Sequence, residues 1–342
     1  MSYSRRTFIK TVPGFAMGAS LIGTTALTAR TARAAPITLR FGCVPAPTHP
    51  LAIRATEAAN RIRAESHGDV DIKVFPNNQL GSDADTLSQV RFGAVDFMSI
   101  SSLVLANFIQ AASITGVGFA WPSYDKVWAA MDGDLGNHIT SEINKRGLTV
   151  VGRMWDFGFR QTTSSERKIL TPDDLHGFKI RVPTGNMFVS LFQALGASPT
   201  AINWGETYSA LQTKLVDGQE NPLGPLLFTK IYEVQKFVSM TNHMWDGNWT
   251  IYNSKKFAAL PSDVRALIVK HFDQSGLDER NDIAGQDQNL KADLQSKGLT
   301  FLNPRLDPFK AALQKSGYYE TLKSKYDPAT WTLLEKYSGN LV

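Results

Sequence analysis

The order of its short apolar segments constrains this chain more than any other feature. Ile37, Leu39 and Phe41 alternate with Thr38 and Arg40, and Val70, Ile72 and Val74 repeat that period of two, the mark of half-buried strands. Between them residues 51–65 are rich in Ala, Arg and Glu and read as a helix. Ser82 is placed to cap a helix running to Phe92, with Gly93 at the left-handed position that ends it, and residues 95–100 read as the next strand. Helices are expected from Ser123 to Met131 and over 135–145, then a strand over 148–151. Such alternation favours right-handed crossovers and a mainly parallel sheet with helices on both faces. From Leu170 the pattern restarts, with a strand at 178–182 and helices at 186–195 and 205–214. Beyond Pro261 the chain turns helical over 262–295 and 307–336, the latter broken at Pro328. The restart implies a second α/β unit, as expected of 342 residues, more than one core usually serves.

Residues 1–34 have the character of an export signal. Ser4-Arg5-Arg6-Thr7-Phe8-Ile9-Lys10 precedes a mildly apolar run over 11–29, and Ala32-Arg33-Ala34 follows it. A transmembrane anchor needs about 20 strongly apolar residues, whereas Pro13, Gly14, Gly18 and Gly23 interrupt this run. A twin-arginine-type signal peptide over 1–34 and a periplasmic location are therefore expected. The segment holds Arg5, Arg6, Lys10, Arg30 and Arg33 and no acid, so the rest of the chain balances 31 basic against 31 acidic residues. The net charge of +5 thus belongs to the leader, and a nucleic-acid footprint has no support. Cys43 is the single cysteine, so no intrachain disulfide forms, and a small buried role at a strand end is expected.

Catalytic spacings are absent. There is no G-x-S-x-G elbow, no H-E-x-x-H pair, no C-x-x-C, and no G-x-G-x-x-G opening a helix after a strand. The six histidines, His49, His67, His138, His176, His243 and His271, are scattered. No enzymatic activity, metal or cofactor is expected. Two alternatives stand beside a binding role: a twin-arginine-exported periplasmic enzyme, and a sensory protein presenting its ligand to a receptor.

Four ordered blocks carry a more specific signal. They are Gly158-Phe159-Arg160-Gln161-Thr162-Thr163, then Pro172-Asp173-Asp174-Leu175-His176-Gly177-Phe178-Lys179-Ile180-Arg181-Val182-Pro183, then Trp204-Gly205-Glu206-Thr207-Tyr208, and Val216-Asp217-Gly218-Gln219-Glu220-Asn221-Pro222. In these the chain resembles the DctP-type periplasmic solute-binding proteins of TRAP (tripartite ATP-independent periplasmic) transporters, with weaker matches at 75–81 and 131–136. The resemblance implies two α/β domains with a ligand cleft between them, joined by hinge strands and a long bridging helix. Domain I would comprise 35–157 plus 247–286, and domain II 158–246 plus 287–342. The implied function is to capture a small organic acid and deliver it, as a monomer, to TRAP membrane permease subunits for ion-gradient-driven uptake.

Arg181 closes an apolar strand just before Val182-Pro183, so it stands near a strand's carboxyl end, where α/β sheets place ligands. Its planar fork matches a carboxylate. The resemblance makes Arg181 the carboxylate anchor, with Arg160 and Asn221 completing the grip. It also places Trp204 under the ligand and Ser101, His243 and Asn248 around the cleft. Trp155, Trp245 and Trp249 add aromatic mass near these segments, favouring an aromatic or compact apolar acid. Val44 stands where some sugar-acid binders place a polar residue, which weighs against a polyhydroxylated ligand.

Overall fold

The computed structural model describes residues 35–342, and the signal expected over 1–34 lies outside the described residues. The first half of the chain lays down β1 (Ile37–Gly42), β2 (Val70–Phe75), β3 (Phe97–Ser101), β4 (Leu148–Val150) and β5 (Trp155–Phe159). The second half adds β6 (Gln161–Ser164), β7 (Lys179–Val182), β8 (Ser198–Ala201), β9 (Gly218–Asn221) and β10 (Phe237–Ser239). Then come β11 (Trp245–Asn253) and, after a long helix, β12 (Thr300–Leu302). Two six-stranded sheets result. The first has the order β2-β1-β3-β11-β4 with β5 also paired to β11, and the second the order β12-β10-β6-β9-β7-β8.

Local chemistry accounts for the elements. In β1, Leu39 and Phe41 are buried while Thr38 and Arg40 are exposed. Helix Pro50–Glu65 opens with proline, follows a His49 whose Nδ1 accepts from the Leu51 amide, and turns Ala55, Ala58, Ala59 and Ile62 inward. Ser82 and Asp85 close a capping box on helix Asp83–Phe92, and Gly93 ends it at a φ of 77°. Cys43, just past β1, is buried, and burial pushes its thiol up to about 12.

The expectation of mainly parallel sheets needs correction. β1 pairs in parallel with β2 and β3, and β7 with β8 and β9. β11, however, runs antiparallel to β3, β4 and β5, and β6 antiparallel to β9 and β10. Connectivity is the reason: β11 returns to the first sheet directly from β10 of the second, so no crossover helix imposes the parallel direction.

Among the described residues the chain passes between the two lobes four times, the last time on its way into the C-terminal helix. β5 continues into β6 through Arg160, β10 leads into β11 through residues 240–244, and the Arg160 amide donates to the Met244 carbonyl at 2.8 Å. The third passage is helix Ser262–Ser296. Its first half packs Val264, Ile268 and Phe272 with Phe41 and Phe97 of the first sheet, and its second half carries Leu290 and Leu294 into the cluster with Leu211, Leu226 and Val238. The C-terminal helix Pro328–Ser338, which the expected limits group with domain II, packs on Tyr124–Met131 and Asp134–Asn144 of the first lobe. Lys336 and Tyr337 both bond Asp134 there. Among the described residues no helix is long and apolar enough to cross a membrane.

Candidate ligand-binding cleft

Between the lobes lies a cleft of about 750 Å3, its open mouth included. Arg181, on β7, is only 2% exposed. Its Nε and Nη2 both donate to the Ile202 carbonyl, at 2.9 and 2.7 Å, which fixes the plane of the guanidinium 5.4 Å from the centre of the Trp204 ring. Buried Nη1 has no hydrogen-bond partner among the described residues. Burial lowers the Arg181 pKa to about 9, opposed by Glu220 and helped by Arg160, so the group keeps its charge at neutral pH. A buried, charged donor left unpaired is expensive, and a carboxylate oxygen is the partner it fits best.

Arg160 lines the same cleft in a different condition. Nε and Nη2 grip the two Glu220 carboxylate oxygens at 2.5 and 2.9 Å, Nη2 also donates to Asn221 Oδ1 at 3.1 Å, and Nη1 reaches Asp246 Oδ2 at 3.3 Å. Burial alone would raise the Glu220 carboxyl, but the Arg160 charge and the hydrogen bonds of His243 and Arg160 hold it down at about 2. Burial disfavours the Arg160 charge as well, and Glu220 more than reverses this, raising its pKa. Asn221 completes the arrangement by donating to Gln219 Oε1 at 2.7 Å.

The first lobe contributes acceptors. Asp246 Oδ2 takes a 2.7 Å hydrogen bond from Ser101 Oγ, while its buried Oδ1 has no partner among the described residues. Burial pushes Asp246 up to about 6, with Arg160 and Ser101 opposing. Asn248 donates to Ser99 Oγ at 3.2 Å, and its buried Oδ1 has no partner among the described residues. Half-buried Asp83, in the first turn of its helix, is pushed up to about 7 by burial and then by Asp246. His49 lies 5.5 Å from the Phe157 ring, and burial drives its pKa down to about 3, so it is neutral, with the proton on Nε2, which has no partner among the described residues.

Six of the eight residues chosen from sequence line this cleft: Arg181, Arg160, Asn221, Trp204, Ser101 and Asn248. His243 and Trp155 do not. His243 sits behind the ion pairs, bonded to Glu220 at 3.1 Å and Thr241 at 2.8 Å, and burial lowers its pKa against the pull of Glu220. Trp155 is fully buried against Phe272 of the long helix. Sequence reading missed Glu220, Asp246, Asp83, His49 and Phe157. Glu220 lay inside a quoted block, but only the pairing of β9 with β6 brings it to Arg160. Phe157 enters the cleft because the β5–β11 register slips between Asp246 and Gly247, leaving Phe157 as the extra residue of a bulge.

The sequence profile of the bacterial extracellular solute-binding proteins, family 7 (DctP), matches residues 41–322. The chain belongs to this family. It is 32% identical to the C4-dicarboxylate-binding periplasmic protein DctP of Rhodobacter capsulatus, over 80% of this chain and 82% of that one. Two solved structures share its architecture. The sugar acid binding protein DctPAm of Advenella mimigardefordensis, in complex with galactonate, superposes with a TM-score of 0.85 at 25% identity, covering 90% of this chain and 99% of that one. A TRAP periplasmic solute-binding protein of Sulfurospirillum deleyianum with bound succinate gives 0.83 at 26% identity, covering 89% and 99%. In this family 7 protein the two lobes, the strand passages and the long helix thus frame a solute cleft. Among the described residues no group of three or more His, Cys, Asp or Glu is arranged to hold a metal ion.

Proposed function

We propose that this chain is exported to the periplasm, captures a small organic carboxylate there without altering it, and delivers it to the membrane subunits of a TRAP transporter for ion-gradient-driven uptake. The observation that carries this reading is Arg181, a buried guanidinium locked in plane by one carbonyl with a corner unpaired in an interlobe cleft. A ligand bridging both lobes binds the closed form better than the open one and pulls the equilibrium toward it. The membership in family 7 supports the same role.

A thermal-shift screen of organic acids on protein unfolded and refolded to strip carried-over ligand tests the proposal. The cognate acid stabilises by about 2.7 kcal/mol at a hundredfold excess over its dissociation constant, and is recovered unchanged. Recovery of a chemically altered acid from metal-free protein would establish the enzyme reading instead. For export, Arg5→Lys with Arg6→Lys should strand precursor in the cytoplasm, and normal periplasmic accumulation would refute the twin-arginine route.

A further inference from the structure

The cleft is polar in an uneven way. Arg181 and Trp204 come from the second lobe, whereas Asp83, Asp246 and Asn248 come from the first. Two buried acceptors on the first-lobe side, Asp246 Oδ1 and Asn248 Oδ1, have no hydrogen-bond partner among the described residues. Asp83 beside them has neither an ion pair nor a hydrogen bond there, and the charges acting on it are Asp246 and Arg181. Between these polar groups the walls are Val44, Val104, Phe157, Pro225 and Phe228.

Counting charges sharpens the picture. Arg160, Arg181, Asp83 and Asp246 line the cleft, and Glu220 is bound directly behind Arg160. Two guanidinium groups therefore face three carboxylates, so the site is already one negative charge in excess when all are ionised. One ligand carboxylate is drawn to Arg181 because that side chain retains an unpaired donor. A second would meet Asp83 and Asp246 in a partly dry site, where like charges repel strongly.

We infer that the cognate solute is a monocarboxylate with a largely apolar skeleton bearing one or two hydroxyl or amino donors, and that Asp83 and Asp246 select against dicarboxylates. The inference rests on the carboxylate reading of the cleft. The donors satisfy Asp246 Oδ1, Asn248 Oδ1 and Asp83, and the carbon skeleton lies against the aliphatic and phenyl walls. The polar groups beside those walls, Ser99, Ser101, Thr184, Asn203, Thr229 and His49, are few against a fully hydroxylated chain, whose remaining hydroxyls would lie on the apolar walls without partners.

Calorimetry with acids of matched skeleton decides it. From three to six carbons, each set keeps one terminal carboxylate and varies the other end as methyl, hydroxymethyl, aminomethyl or a second carboxylate; aldonic and aldaric acids complete the panel. At each length that binds, the hydroxy or amino acid should exceed its matched diacid at least about tenfold. Asp83→Asn should narrow that gap at least about threefold by relieving the diacid. Diacids binding as tightly as their hydroxy partners, or aldonic acids binding tightest, overturn the inference while leaving the carboxylate reading intact. A panel in which no acid binds removes both.

Discussion

Arg160 and Arg181 line one cleft, both almost wholly buried, yet their donors are occupied in opposite ways. The Arg160 charge is neutralised by the protein itself: Glu220 takes two of its nitrogens, Asp246 a third, and Asn221 shares one. The Arg181 guanidinium is held in place by a single carbonyl and keeps one nitrogen unpaired. Burial and residue type do not distinguish the two arginines; the inventory of their donors does.

The strongest way to break this contrast is Arg160→Ala. Removing one partner of a buried ion pair leaves Glu220 and Asp246 uncompensated, so chemical denaturation should show a loss of about 3–5 kcal/mol in ligand-free protein. If the variant unfolds at the same denaturant concentration and loses affinity alone, Arg160 is a receptor group like Arg181.

Arg181→Ala should do the reverse. Titration of the cognate acid should show a loss of about 2–5 kcal/mol, roughly thirty-fold to several thousand-fold in Kd, while ligand-free stability stays level or rises because an unpaired buried donor has gone. Arg181→Lys keeps charge without the planar fork and should recover part of the affinity. Equal affinities across the three proteins would end the anchor assignment.

Proton linkage gives a smaller effect. Asp83 at about 7 and Asp246 at about 6 hold their protons more tightly in the folded chain than an ordinary aspartate does. The stability they contribute is present below their ordinary pKa and lost as pH rises through 6 to 7, so the ligand-free melting temperature should fall between pH 5 and 8. Glu220, held at about 2, acts in a separate window: its contribution is lost as pH falls below the usual carboxylate range. An arriving ligand anion further favours the protonated Asp83, while Arg160, Arg181 and Glu220 stay charged and His49 stays neutral. Affinity should therefore rise from pH 8 to 6, by at most about tenfold per unit. Calorimetry in buffers of different ionisation enthalpy should detect proton uptake near pH 7, and a flat profile would remove the aspartates from the energetics of the cleft.

Trp155→Phe sets the lower bound. The ring packs on Phe272, outside the cleft, so stability should drop by less than about 1.5 kcal/mol with Kd unchanged. A marked loss of affinity would return Trp155 to the site.

Elements with a local signature were legible in the sequence: β1 and β2 lie where the apolar alternation places them, the helix Asp83–Phe92 where its caps place it, and the long helix beyond Pro261. The strands that carry the site are different. β6 and β9 are wholly buried yet read Gln-Thr-Thr-Ser and Gly-Gln-Glu-Asn, and β11 opens Trp-Asp-Gly-Asn. Their burial is satisfied by polar pairing, such as Thr163 Oγ1 donating to Gln235 Oε1 at 2.8 Å, so no hydrophobic alternation marks them. Arg181 was visible because an apolar strand leads up to it. Asp83 was hidden in a residue that also reads as an ordinary helix-start acid, and Phe157 in a bulge that only the paired strands define.

The route of the chain also governs when the molecule can fold. The first sheet lacks its central β11 until residue 253 has been made, and part of its helical cover arrives only with Pro328–Ser338. A chain emerging from the ribosome therefore cannot complete its N-terminal lobe first and append the other. Completion of that lobe waits until residues 328–338 can pack on it.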